Sequence, residues 1–237
     1  MIADPDRSEL ELKYRYSAAA YWFIQRHCHD DVEPKQATQR DITRWAFEVV
    51  RGARPDVYPF TNLLIQFTQK GEEEPGQLAP DNSVFVHSTP LKVGVSFDTP
   101  FQPVKPFVVM EYTERSRAER YEKELKVPYY LLFYPDADEF TLFRLGEKGY
   151  SSVLPNANGR CAIPELELEV ALLGGWMRYW FRGELLPLAG DLLKERDAER
   201  AARLAAETQA NTERSARLAA EAELAKLREE LAKAKPQ

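Results

Sequence analysis

The sequence predicts an α/β (α+β) domain followed by a long C-terminal helix, and three observations carry that reading. Residues 106–136 read as an apolar strand ending in a carboxylate, then a short charged helix, then a second apolar strand. Residues 128–154 hold strand patterns joined by very short links, as in an antiparallel meander. From about Pro187 the chain is Ala, Leu, Glu, Arg and Lys almost throughout, with no aromatic after Phe181 and no glycine after Gly190. The expected division is a folded domain over residues 1–187 and a helical tail over 188–237.

In chain order, residues 1–10 are polar and are expected to be mobile. Residues 12–29, rich in Tyr, Trp and Ala, suit one helix packed on the core. His27-Cys28-His29 has a metal-like look, but zinc sites draw on two separated ligand pairs. The only other histidine and cysteine are His87 and Cys161, so a helix end or loop is the alternative. Residues 38–50 predict a helix with Ile42, Trp45, Ala46 and Val49 on one apolar face, and Gly52 as its stop. Residues 57–68 read as one strand. Residues 70–76 form an acidic turn, and 83–87 a further strand. Three prolines (Pro90, Pro100 and Pro103) make 89–105 a loop with at most a short strand. The strand carrying Glu111 follows. Residues 116–126 predict an exposed helix whose apolar stripe is Tyr121 and Leu125. Residues 128–134 are apolar on both faces, which predicts a central strand. Residues 139–145 and 150–154 continue the sheet. Leu166, Leu168 and Val170 alternate with Glu165, Glu167 and Glu169 in a half-exposed segment. Residues 176–181 and 185–188 close the domain.

The tail repeats Ala-Arg-Leu-Ala-Ala-Glu at 202–207 and 216–221. That offset is two heptads, so Leu204 and Leu218 share a seam with Asn211 between them. A polar seam residue often sets register in a coiled coil. Leu224, Leu227 and Leu231 keep the 3-4 spacing. A homo-oligomer through residues 192–234 is one expectation; a single solvated arm is the other.

The chain has 237 residues, 44% hydrophobic, with a net charge of -6. This suffices for one well-buried domain plus an appendage. The tail carries ten basic and ten acidic residues over 188–237, so the whole negative balance lies in the domain. Any nucleic-acid contact must therefore use a local basic patch. Two cysteines, Cys28 and Cys161, exclude a disulfide scaffold and suit a reducing compartment. The N-terminus lacks a signal-peptide core, and no apolar run approaches the roughly 20 residues of a membrane helix. A soluble cytoplasmic protein without membrane contact is expected.

The candidate site starts at Glu111, behind the apolar run Phe107-Val108-Val109-Met110. A carboxylate at the end of a buried strand needs a compensating partner. Asp81, in Ala79-Pro80-Asp81, stands just before another apolar strand. Two acidic residues at neighbouring strand ends can hold a hard divalent cation; arginine or lysine partners are the alternative. Arg115, Arg117, Arg120, Lys123 and Lys126 form the dense basic cluster nearby.

Ala79-Pro80-Asp81, the strand ending in Glu111, and Tyr121-Glu122 followed by Leu125-Lys126-Val127-Pro128-Tyr129-Tyr130-Leu131-Leu132-Phe133-Tyr134-Pro135 resemble the Uma-two family. That family is assigned to restriction endonucleases of the PD-(D/E)XK nuclease superfamily. The resemblance covers residues 54–187 and, more loosely, the helix at 38–50. It implies a restriction-endonuclease-like mixed sheet flanked by helices and a metal-dependent phosphodiesterase site. Asp81 and Glu111 would hold Mg²⁺, with Mn²⁺ as a substitute. A lysine would position or deprotonate the attacking water. Arg115, Arg117, Arg120 and Lys126 would contact DNA.

Two departures stand out. The superfamily's plain form has lysine two residues after the glutamate; here that residue is Thr113. Relatives supply lysine from the following helix, yet residues 115–120 contain none. Arginine stays protonated and cannot act as a base, which leaves Lys123, with Asp81 and Glu111, as the candidate catalytic set. The expected function is a DNA endonuclease. The alternatives are a degraded nuclease-like domain that binds DNA or assembles through its coiled-coil tail, and a structural protein whose two carboxylates simply pair with Arg115 or Arg117.

Overall fold

The computed structural model describes residues 5–27, 33–112 and 117–234. It divides into two compact units, Met1–Leu188 and Ala189–Gln237. The first unit is α+β. It opens with helices α1 (Pro5–His27) and α2 (Pro34–Ala53). Strands β1 (Val57–Thr61), β2 (Ile65–Phe67), β3 (Gly76–Leu78), β4 (Asn82–Val86), β5 (Phe97–Asp98) and β6 (Val108–Glu111) follow. A short helix α3 (Ala118–Arg120) runs into one wide, π-type turn, Tyr121–Leu125. Next come β7 (Tyr129–Tyr134), β8 (Glu139–Gly146), β9 (Gly149–Ser152), β10 (Cys161–Ile163), β11 (Leu168–Leu173), β12 (Trp176–Phe181) and β13 (Glu184–Leu185).

The described strands form three sheets. A six-stranded sheet has the order β1-β4-β6-β7-β8-β9. It is mixed: β6 and β7 are parallel, and its other neighbours are antiparallel. A parallel step needs a crossover, and α3 with its wide turn supplies it. β10-β11-β12-β13 and β3-β2-β5 make the smaller sheets.

Strand periodicity splits the core in two. Val108, Met110, Tyr129, Leu131 and Phe133 join one apolar cluster with Phe47 and Val50 of α2 and Val170 and Tyr179 of the four-stranded sheet. Val109, Tyr130 and Leu132 join the other, with Ile65, Phe67 and Phe97 of the three-stranded sheet and Tyr121 and Leu125 of the turn. β6 and β7 are thus covered on both faces, as a run apolar on both faces requires. Each fully buried Leu or Phe contributes about 1.5–3 kcal/mol. α1 lies on the three-stranded sheet, where Gln66 Nε2 donates to Tyr14 O (2.9 Å) and Gln77 Nε2 to Ser17 O (3.0 Å).

Several sequence expectations change. Part of the segment expected to be mobile is helical, since α1 starts at Pro5, a residue suited to a first helical position. The strand expected over 57–68 is two strands in two sheets. Asn62 breaks it with a left-handed backbone (φ 50°), and its N–H donates to Asp81 O at 3.1 Å. Asparagine accepts that conformation more readily than most residues. The buried face of α2 is Gln39, Thr43, Ala46, Phe47 and Val50, whereas Trp45 and Val49 are exposed. The sheet selects this face through hydrogen bonds as well as apolar contact: Thr43 Oγ1 lies 2.8 Å from Tyr179 Oη, and Gln39 Oε1 accepts from Met177 N. Cys28 and His29 lie outside the described residues, and His27 Nδ1 bonds to Phe23 O at 2.6 Å.

The second unit is one helix, α4 (Ala189–Ala234), of 46 residues. From Leu192 on, every described side chain is exposed, the seam leucines Leu204 and Leu218 included. Pairs such as Arg203–Glu207 and Arg217–Glu221 brace its surface, each contributing about 0.3–0.5 kcal/mol. Among the described residues no helix is long and apolar enough to cross a membrane.

Candidate active site

β6 ends at Glu111 in the middle of the sheet. Its neighbour β4 starts at Asn82, which faces Met110 in an antiparallel register. Continuing that register by one residue sets Asp81 opposite Glu111. Asp81 itself lies just outside β4, and its charge is felt at Glu111. Both are nearly inaccessible, with relative exposures of 4% and 3%.

Each carboxylate has protein donors. Asp81 Oδ2 accepts the backbone N–H of Tyr112 at 2.7 Å. Asp81 Oδ1 accepts from Gln36 Nε2 at 3.0 Å and from the Arg40 guanidinium, both on α2. Glu111 Oε1 accepts from the Tyr121 hydroxyl at 2.6 Å and from Arg117 at 3.4 Å. Arg117 also donates to Ala79 O, two residues before Asp81. No described donor bonds to Glu111 Oε2.

Burial dominates the electrostatics. It pushes the Glu111 carboxyl from 4.5 up to about 7, against the downward pull of Arg117 and Tyr121; the nearby Asp81 charge adds to the rise. Tyr121 is held well above the usual phenol range by burial and by Glu111. Tyr21 of α1 is raised too, mainly by burial, with Arg117 lowering it and Glu111 raising it. Its hydroxyl therefore lies in the field of the same pair.

The other candidates are placed as follows. Arg117 is at the site. Arg120 donates to Gln77 O at 3.1 Å and stacks over Phe67 at 5.2 Å. Lys123 is exposed and pairs with Glu119, four residues back. Lys126 is exposed and closes the wide turn in a left-handed conformation (φ 53°). Thr113 and Arg115 lie outside the described residues. No described lysine bonds to either carboxylate.

Sequence reasoning missed Gln36, Arg40 and Tyr21. Arg40 sits four residues after Gln36 on one helix face, a spacing that could have marked a shared ligand. Nothing in the sequence joined that face to Asp81, 41 positions away.

As a cation site, the donor set is short. Among the described residues no group of three or more His, Cys, Asp or Glu side chains is placed to hold a metal. Two carboxylates nevertheless suit Mg²⁺, which keeps several waters and often uses one or two acidic side chains. On Asp81 the donors Gln36 and Arg40 crowd Oδ1, whereas Oδ2 accepts from Tyr112 N.

No family model matches the sequence, and no curated protein matches it. Among solved structures, the chain is similar to the crystal structure of a candidate nuclease belonging to DUF820 from Anabaena variabilis ATCC 29413. The match covers 57% of this chain and 75% of that one, at 15% identity and a TM-score of 0.43. At that score the likeness bears on neither the activity nor the site.

Proposed function

We propose that the first unit is a divalent-cation-dependent nuclease domain that hydrolyses phosphodiester bonds of DNA, with Asp81 and Glu111 as its cation-holding pair. The observation that supports this reading is the burial of two carboxylates at the ends of neighbouring strands, each answered by an arginine. Such a pair is costly to bury and needs positive charge. A bound Mg²⁺ or Mn²⁺ would supply Lewis-acid stabilisation of charge on the phosphate. Arg40 and Arg117, released from the carboxylates, would clamp phosphate oxygens. Tyr121 would hold the Glu111 carboxylate in place through its hydroxyl. Neither arginine can take a proton from water.

One observation favours a second reading. Lys123 is spent on Glu119, so no described lysine serves the carboxylates. The domain would then bind DNA, or assemble through its tail, without cleaving. Nicking of supercoiled plasmid with Mg²⁺ or Mn²⁺ separates the two. The nuclease reading expects cation-dependent nicking that is lost in both Asp81→Ala and Glu111→Gln, and lost in Lys123→Ala if that side chain swings into the site. Binding without nicking supports the second reading. A protein that neither nicks nor binds DNA at low salt ends the DNA reading altogether.

A further inference from the structure

Beyond the carboxylates, α2 carries an ordered charged feature that the site does not use up. Arg40, Arg44 and Arg51 stand at relative positions 0, 4 and 11 of the helix. At 3.6 residues per turn they fall within about 40° of one another, on a flank about 16 Å long. The file starts at the site, because Arg40 holds Asp81.

Two contacts fix its course beside β1. At one end Asn82 Nδ2 reaches both Arg40 O (3.4 Å) and the hydroxyl of Thr61, the last residue of β1 (3.0 Å). At the other, the Arg51 guanidinium sits 5.3 Å over the ring of Tyr58, near the start of β1. β1 is an edge strand of the six-stranded sheet, so no further strand of that sheet closes off its outer side. Exposure of the arginines rises outward, from 20% at Arg40 to 42% at Arg44 and 46% at Arg51.

Their local counter-charges are loose. Arg44 is 3.6 Å from Asp41, and Arg51 is 3.9 Å from Glu48, all on the exposed surface. Pairs of this kind contribute little and yield to a better anion. Arg44 also stacks on Trp45 at 4.8 Å. A stacked guanidinium keeps its N–H fork free for a bidentate acceptor. On a domain whose overall charge is negative, a local file of this sort is what backbone recognition requires.

We propose that Arg44 and Arg51 form a track for the phosphate backbone of duplex DNA, leading one strand outward beside β1 from the end of α2 where Arg40 holds Asp81. The identity of the ligand rests on the DNA reading above; the path is independent of whether the site cleaves. The test is fluorescence anisotropy of a short labelled duplex with the full chain in EDTA, over rising salt. The variants are Arg44→Glu/Arg51→Glu, Arg44→Ala/Arg51→Ala, and Arg203→Glu/Arg217→Glu as an equal charge change elsewhere.

With melts unchanged, the track predicts an affinity loss of at least about tenfold at low salt for the α2 reversal. The alanine pair should lower the log–log salt slope by about two, and the α4 pair should stay within about twofold of wild type. Unchanged affinity and slope in both α2 variants overturn the track, as does an equal loss in the α4 pair. Plasmid nicking keeps the two proposals apart. A wild type that nicks, with α2 variants that bind and nick like it, sinks the track alone. A wild type that binds through α2 but never nicks leaves the track standing and removes hydrolysis. No binding by wild type at low salt overturns both.

Discussion

Glu111 is a carboxylate the fold keeps at a loss. Its proton is held up to about 7 when folded, against an ordinary 4.5. Between those values the folded chain binds more protons than the unfolded one, so stability falls as pH rises through that window and levels off above it. Glu111→Gln removes the penalty while leaving an oxygen for Tyr121 and Arg117. In EDTA at pH 8 the variant should be more stable than wild type by about 1–3 kcal/mol. The gain should vanish by about pH 4, where both states are protonated. Urea melts across pH read this directly, and a variant less stable than wild type at pH 8 would show that the Arg117 contact outweighs desolvation. Both carboxylates were legible in the sequence because each stands at the boundary of an apolar strand. Their arginines were only half legible. Arg117 lies six residues from Glu111, whereas Arg40 reaches Asp81 through tertiary packing that no local pattern encodes.

Elements were legible where one periodicity dominated. β7 reads as central from its unbroken apolar run and is central. α2 reads as a helix and is one, but its inward face was misassigned. Trp45 and Val49 are more apolar than Gln39 and Thr43, yet the polar pair is buried because Met177 and Tyr179 offer it partners. Hydropathy cannot see a partner 136 residues away. The wide turn after α3 was equally hidden, since Tyr121 and Leu125 suit an ordinary helix. Its end depends on Lys126 in the left-handed region (φ 53°), where a Cβ is unfavourable. Lys126→Gly should therefore raise stability by up to about 1 kcal/mol in chemical denaturation. If the same variant loses plasmid nicking or DNA affinity while gaining stability, the Lys126 ammonium acts on the substrate; a loss of both stability and activity would mean the aliphatic stem packs instead.

At the scale of the whole chain, the two units differ in what sustains them. Both apolar clusters of the first unit are built from residues within 1–188. α4 offers no such core: from Leu192 every described side chain is exposed, and its charges cancel over 188–237. A helix of 46 residues is long enough to propagate once nucleated. Still, exposed leucines at 204 and 218, fourteen apart with Asn211 between, gain much more by facing a second helix than by facing water. A chain ending after Leu188 should keep the melting temperature of the first unit to within about 2 °C, since the residues removed contribute nothing to either cluster. It should scatter light as a monomer. The full chain should show a larger mass that falls on Leu204→Asn/Leu218→Asn substitution. Equal monomer masses for both chains would make α4 a solvated arm. A truncated chain that fails to fold would instead show that the domain's stability reaches into the helix, and that the boundary at residue 188 does not divide it.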